Sequence, residues 1–298
     1  MFSADYALLV AAVDFALAGA VLALSTFATM WVGTLSFGTV CFGAVGGYVA
    51  AHLLTIDHVN PVVAVVAGAV GGGILAMAVS PFLLRLNSHW LALATVALIL
   101  VVRVFAQNLS SITGGSAGTV VAPGVSGWLA LGVLLVVVAF LWRLRHSSFG
   151  IAAELAREDS TVAGAMGVNV QRVQLVAFIM SGVIGGAGGV LEAGFLGYIS
   201  PDTFYIDLAV VVLASVVLGG AYHWAGALVG AVFFAGMPVL LSQVAGSIPG
   251  LIEGVLLLAV MLVLPGGIID PARSARRRVR KSMAVRSAQS GVEEGGRL

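Results

Sequence analysis

The chain has 298 residues, of which 60% are hydrophobic and 9% charged, with a formal net charge of +1 and a mean hydropathy of +1.10. A soluble domain needs roughly a quarter of its residues charged to hydrate its surface, so this composition excludes that class. It is the composition of an integral membrane protein, for which the bilayer is the main solvent.

A membrane-spanning helix needs about 20 mostly apolar residues. On that measure spans are predicted near 6–25, 28–52, 61–80, 89–109 and 126–142, then near 173–195, 207–221, 224–244 and 250–267. The expected fold is an all-α polytopic bundle of about nine transmembrane helices, within a range of about eight to ten. The first stretch has no basic n-region and no cleavage site, so it reads as a retained span and not a secretory signal. Residues 28–52 are the least regular, because GTLSFGTVCFGAVGG mixes hydroxyls with glycines; this segment is predicted to be a broken helix. Cys41, the lone cysteine, lies in an apolar run and reads as a small buried hydrophobe.

Basic residues set the orientation, since cytoplasmic loops are enriched in Lys and Arg. Most lie in the tail from Arg273 to Arg297, and Arg143, Arg145, Arg157 and Arg172 lie in a long central loop at 143–172. Four predicted spans separate loop from tail, so both fall on one side, the cytoplasmic one. The N-terminus and the loop from Leu109 to Ser126 then fall outside. A transmembrane domain is expected over 1–270. The tail, 271–298, has little apolar content and is expected to be a disordered, cytoplasmic topology anchor that touches anionic lipid, not a nucleic-acid site.

Glycines four apart recur at Gly43 and Gly47, Gly68 and Gly72, Gly182 and Gly186, Gly185 and Gly189, Gly226 and Gly230, and Gly250 and Gly254. Small residues at that spacing make flat helix faces that let backbones approach closely in lipid.

Missing chemistry narrows the function further. No phosphate-cradling G-x-x-x-x-G-K-[ST] loop is present, and Lys281, the single lysine, sits in the tail, so the chain is not expected to hydrolyse ATP. Histidines are scattered and no metal or other cofactor is expected. No nucleophile with its base, and no carboxylate pair, marks an intramembrane enzyme. Asp14 and Arg103 lie at similar depth from the outer ends of their spans, which predicts an intramembrane pair between them. Glu192 and Glu253 lie near outer ends, where hydration suffices.

Several ordered motifs resemble one family. LSFGTVCFGAVGGYVAA (Leu35 to Ala51), HWLALATVALILVVRVFAQN (His89 to Asn108), ITGGSAG (Ile112 to Gly118), SSFGIAAELAREDSTVAGAMGVNVQRVQLVAFIMSG (Ser147 to Gly182), GYISPDTF (Gly197 to Phe204), VLGGAYHWAGALVGA (Val217 to Ala231) and LPGGI (Leu264 to Ile268) follow one another as in the permease subunits of ATP-binding-cassette importers for branched-chain amino acids, specifically the LivM type. Thr39 stands where a histidine is common, Leu100 where an acidic residue often precedes Arg103, Tyr222 where glycine is usual, and Gly266 where a basic residue is frequent. The first three put the cargo in doubt more than the fold.

The resemblance implies a multi-pass subunit of a bacterial inner membrane that works by alternating access. Its partners would be a second, LivH-like permease, two cytoplasmic ATP-binding subunits and an extracytoplasmic solute-binding protein docking on Thr113 to Gly118 and Gly197 to Phe204. It also implies that REDSTVAGAMG (Arg157 to Gly167) is the coupling helix seated in an ATPase. The residues fit such a handle: Asp159 or Ser160 can cap a helix turn, Val162, Ala163, Ala165 and Met166 give it an apolar surface, and Gly167 ends it. Gly150, Arg157, Glu158 and Asn169 complete the expected coupling set. For the substrate pathway the candidates are Ser36, Thr39, Tyr48, Thr113, Gly114 and Gly115, since hydroxyls beside glycine-exposed backbone can replace the water of a zwitterion; Ser36, Thr39 and Tyr48 serve equally well as helix–helix hydrogen-bonding groups. Rival readings are the same machine carrying urea or another small amide or amino acid, and a self-powered secondary transporter or channel.

Overall fold

The first helix, α1 (Phe2–Trp31), runs six residues past the predicted end of the first span because nothing in its apolar run breaks the backbone before Gly33. Gly33 adopts φ +81°, a conformation that a side chain disfavours, and there the chain leaves the helix. The Thr34 hydroxyl donates to the Thr29 carbonyl and closes the turn. The predicted segment 28–52 is therefore divided: its first residues finish α1, and α2 (Gly38–Thr55) begins only after a non-helical stretch. In this computed structural model residues 2–220 and 223–236 are described. The predicted span at 250–267, the end of that at 224–244, Glu253, Tyr222, LPGGI and the tail lie outside them.

Next come α3 (Pro61–Leu83), α4 (Ser88–Asn108), a short α5 (Ser110–Thr113), a two-residue strand β1 (Thr119–Val120) and α6 (Gly127–Arg145). α3 starts where a helix should: the Asn60 side chain accepts from Val62 N at 2.9 Å, and Pro61 occupies the first turn, where its missing N–H costs nothing. The central loop is itself helical, as α7 (Ser148–Glu158) and α8 (Ser160–Ala165). It leads into α9 (Val170–Leu196), strand β2 (Tyr198–Ile199), α10 (Ile206–Gly219) and α11 (Trp224–Ala231), which passes into a π-helical stretch to Gly236.

Six helices among the described residues, α1 from Leu8 together with α2, α3, α4 from His89, α6 and α9, are long and apolar enough to cross a membrane, making the chain an all-α polytopic membrane protein. α10 has 14 residues, a rise of about 21 Å, which is short of a ~30 Å hydrocarbon core.

α9 is the hub, packing against α1, α2 and α3. Its glycines explain how. A Cβ on Gly46 of α2 would strike the Gly186 carbonyl, and one on Gly72 of α3 would strike that of Gly182, so three backbones meet where any side chain would force them apart. Buried side chains fill the rest, with Phe42 and Phe178 edge to face at 5.4 Å.

The bundle has two distinct poles. At one, β1 pairs antiparallel with β2, Thr119 opposite Ile199, and the Thr55 hydroxyl donates to the Val120 carbonyl while accepting from Ala122 N. At the other, α7 packs under α1, with the Phe149 ring 5.8 Å from that of Trp31 and the Arg157 backbone against Gly33.

Candidate functional site

At the α7–α8 pole, Asp159 separates the two helices. Its extended backbone ends α7, and its Oδ1 accepts from Thr161 N at 2.8 Å and Val162 N at 3.1 Å, capping α8. The Val162 and Thr161 amides stabilise the charged form and hold this carboxyl below the ordinary carboxylate range. Gly167 leaves the turn at φ +85° with open space where a side chain would stand. Asn169 then caps α9 by accepting from Arg172 N at 3.0 Å.

Val162, Ala165 and Met166 are exposed, but Ala163 is buried against the chain's own α7 and α9 and adds nothing to the outer surface. It turns inward because a six-residue helix must anchor one face to the fold. Gly150 is buried where a Cβ would strike the Arg145 backbone, so it serves the close turn from α6 into α7. Arg145 also bridges to Glu154 at 3.5 Å, and Glu158 is exposed beside a cleft of ≈380 Å3 between Trp31 and α7.

The six expected pathway residues separate into two groups. Ser36 and Thr39 lie toward the α7–α8 pole. The Ser36 hydroxyl accepts from Gly38 N, and Thr39 Oγ1 sits 2.9 Å from Thr26 Oγ1 and 3.1 Å from Ser25 Oγ, which in turn donates to the Ser181 carbonyl at 2.7 Å. All are buried; the Ser36 hydroxyl serves the first turn of α2, and the Ser25, Thr26, Thr39 and Ser181 hydroxyls join α1, α2 and α9. Tyr48 and Thr113 lie toward the β pole and line a common cavity of ≈370 Å3 between α2 and α4. Thr113 Oγ1 lies against the Ala106 and Leu109 carbonyls and accepts from Gly115 N. Gly114, Gly115 and Gly118, at φ +76°, +64° and +73°, turn the adjoining loop as only glycine does readily.

The expected partnership between Asp14 and Arg103 is replaced by another. Arg103 Nη2 lies 2.5 Å from Asp202 Oδ1, and the guanidinium carbon stands 4.3 Å from the centre of the Tyr205 ring. Asp14 lies instead against Gly127, in the first turn of α6, where the positive end of a helix suits a carboxylate. Depth counted along two helices says nothing of their azimuth, and the nearer partner came from a loop. Asp202, Tyr205, Ser25 and Ser181 were not foreseen; for Asp202 the signal was available, because any carboxylate is conspicuous in a chain 9% charged. No group of His, Cys, Asp or Glu suited to a metal ion occurs among the described residues.

The amino-acid sequence over residues 8–265 matches the model of one family, the branched-chain amino acid transport system / permease component. The chain belongs to that family. A probable branched-chain amino acid transport permease protein LivH of Methanocaldococcus jannaschii is 29% identical over 262 residues, covering 78% of this chain and 82% of the relative. The high-affinity branched-chain amino acid transport system permease protein LivM of Escherichia coli is 31% identical over 228 residues, 63% of this chain and 52% of its own length. The corresponding E. coli LivH is 26% identical over 186 residues, 56% of this chain and 60% of the relative. This permease thus spans about half the length of the E. coli LivM, and its likeness extends to both LivH and LivM. No solved structure matches it.

Proposed function

We propose that this permease is one of two membrane subunits of an ATP-binding-cassette importer for branched-chain or related amino acids, working beside a LivH-like partner in a bacterial cytoplasmic membrane. The six long helices, the short α10 taken as a seventh crossing, and the spans read from sequence at 224–244 and 250–267 make about nine, which puts its C-terminus inside with the α7–α8 pole. Two ATPase subunits engage that pole, and a solute-binding protein delivers cargo to the β pole.

One observation carries the reading. α8 is a capped helix set apart from the bundle, tied down by Ala163 and showing Val162, Ala165 and Met166 outward. A chain without a phosphate loop needs force from elsewhere, and a short rigid helix with an apolar face flanked by charges transmits a push from a groove better than a flexible loop does. When the ATPases close, α8 and α7 move with α1 and α9, against which α7 packs, and the bundle tilts to open the other side.

The test is assembly and coupling. Met166→Asp and Glu158→Lys alter exposed side chains, so the permease should still purify as a stable membrane protein while losing its ATPase subunits or its substrate-stimulated ATP hydrolysis. Normal assembly with normal stimulation in both variants would rule the handle out.

A further inference from the structure

His223 is the N-cap of α11, and it caps with a ring nitrogen: Nδ1 accepts from Ala225 N at 3.1 Å. A hydroxyl or amide cap works at any ordinary pH, whereas an imidazole accepts only while that nitrogen carries no proton. Three features oppose a proton there. The ring is half-buried, the Arg145 guanidinium lies within electrostatic reach, and the free N–H groups of a helix start repel a cation. Partial burial first, and Arg145 second, hold the imidazole below the ordinary histidine value. The Trp224 ring, 5.1 Å away, attracts an imidazolium and offsets part of this, but it gives the Ala225 amide no new acceptor. Among the described residues the charges on this side are Arg145 of α6 and, 3.5 Å from it, Glu154 of α7. The last turns of α1 and α10 and the first turn of α11 carry none.

Loosening this turn has consequences beyond it. Gly226, three residues on, packs its backbone against Gly219 at the end of α10, where a Cβ on either would strike the carbonyl of the other. α11 also packs on α1, whose Trp31 carries the Phe149 ring of α7. A slackened start of α11 is therefore felt along α1 and, through Arg145 and Glu154, at α7 itself.

We propose that His223 is a proton switch on the ATPase side: a proton on Nδ1 removes the cap, loosens the start of α11 and slows transport as that side acidifies. The proposal rests on the reading above that the α7–α8 pole faces the ATPases. Linkage sets its direction. A base that the fold holds neutral stabilises fully above the ordinary histidine value of about 6.5, and that contribution is lost as pH falls below it toward the folded pKa. Mild acid is the signal that turns transport down.

The experiment uses the assembled importer with its binding protein in proteoliposomes whose two faces are buffered separately. Initial leucine uptake is measured with the ATPase face at about pH 7.5 and at about pH 5, on either side of the histidine range. His223→Asn keeps an uncharged cap at both values, and His223→Ala has none. Wild type should slow about threefold or more beyond any slowing of the asparagine variant, while the alanine variant should be slow throughout. The first comparison uses ratios within one preparation, so the amount of folded protein cancels. Hydrogen exchange at Ala225, corrected for its intrinsic pH dependence, gives the local readout: acid should remove protection in the wild type and spare it in His223→Asn. Coinciding uptake profiles for wild type and His223→Asn overturn the switch and leave the importer standing. Slowing that follows the pH of the binding-protein face instead overturns both the switch and the placement of this pole.

Discussion

Arg103 and Asp202 are joined at 2.5 Å although 99 positions of sequence order separate their numbers, and this contact fastens the C-terminal half of α4 to the loop that follows β2. α4 otherwise has one of the most exposed surfaces among the spans, so the ion pair and the Tyr205 ring are among the few polar ties that fix where it stands.

Asp202 is largely exposed, so the ion pair itself should contribute about 0.5–1 kcal/mol, with a similar increment from the cation–π contact. Arg103→Gln loses both contacts and Asp202→Asn only one, so the arginine variant should unfold at the lower temperature in detergent. Their double mutant should be less destabilised than the sum. Asp14→Asn combined with Arg103→Gln should instead be additive to within roughly 0.5 kcal/mol, because those two residues do not touch. Strong coupling in the second cycle would contradict the observed pairing.

The α2–α3–α9 junction predicts a contrast between glycines. Gly186→Val places side-chain carbon against the Gly68 carbonyl and should cost about 1–3 kcal/mol or more by overpacking. Gly132→Ala, in the middle of α6 with open space around it, should be neutral or stabilising by up to about 1 kcal/mol. Thermal denaturation followed by size-exclusion chromatography separates the two.

For the buried hydroxyls, Thr39→Val and Ser181→Ala should each destabilise by about 0.5–1.5 kcal/mol. Since both meet at Ser25, the double mutant should fall short of the sum. Equal effects on stability with no change in leucine KM would mark Thr39 as a packing residue; a selective rise in KM without loss of stability would return it to the pathway.

Acid should loosen α8 through Asp159. Its folded pKa is depressed, so its capping contribution is fully present above the ordinary carboxylate value and is lost as pH falls below that value, through the folded pKa. Hydrogen exchange at Thr161 and Val162, corrected for the intrinsic pH dependence of exchange, should therefore lose protection below about pH 4. Asp159→Ala should show that loss at neutral pH, while Asp159→Ser should largely keep protection. Unchanged protection in the alanine variant would show that α8 does not depend on this cap.

Much of the architecture was legible because lipid imposes simple demands. A run such as Val62 to Met77 has no alternative to a helix in hydrocarbon, where every backbone group must be satisfied within the segment, so the six long spans are found where the apolar ruler lays them. The cap expected at Asp159 or Ser160 is made by Asp159, and Asn60 and Asn169, which the sequence reading did not single out as caps, start α3 and α9 in the same way, because a cap is a contact between near neighbours in sequence. Where a boundary moved, as between α1 and α2, the cause was one glycine conformation among several candidate glycines.

The sequence by itself determined the solvent of this protein, most of its spans and the cap at Asp159 that starts α8, because each depends on residues a few positions apart. Only the tertiary structure decided which residues keep company: Arg103 with Asp202 instead of Asp14, Thr39 with Ser25 and Ser181, Ala163 turned inward, Gly72 against Gly182. Those choices depend on the rotation of each helix about its own axis and on the paths of loops between them. Periodicity leaves that rotation free when a helix is apolar on every side, and in a membrane most of them are.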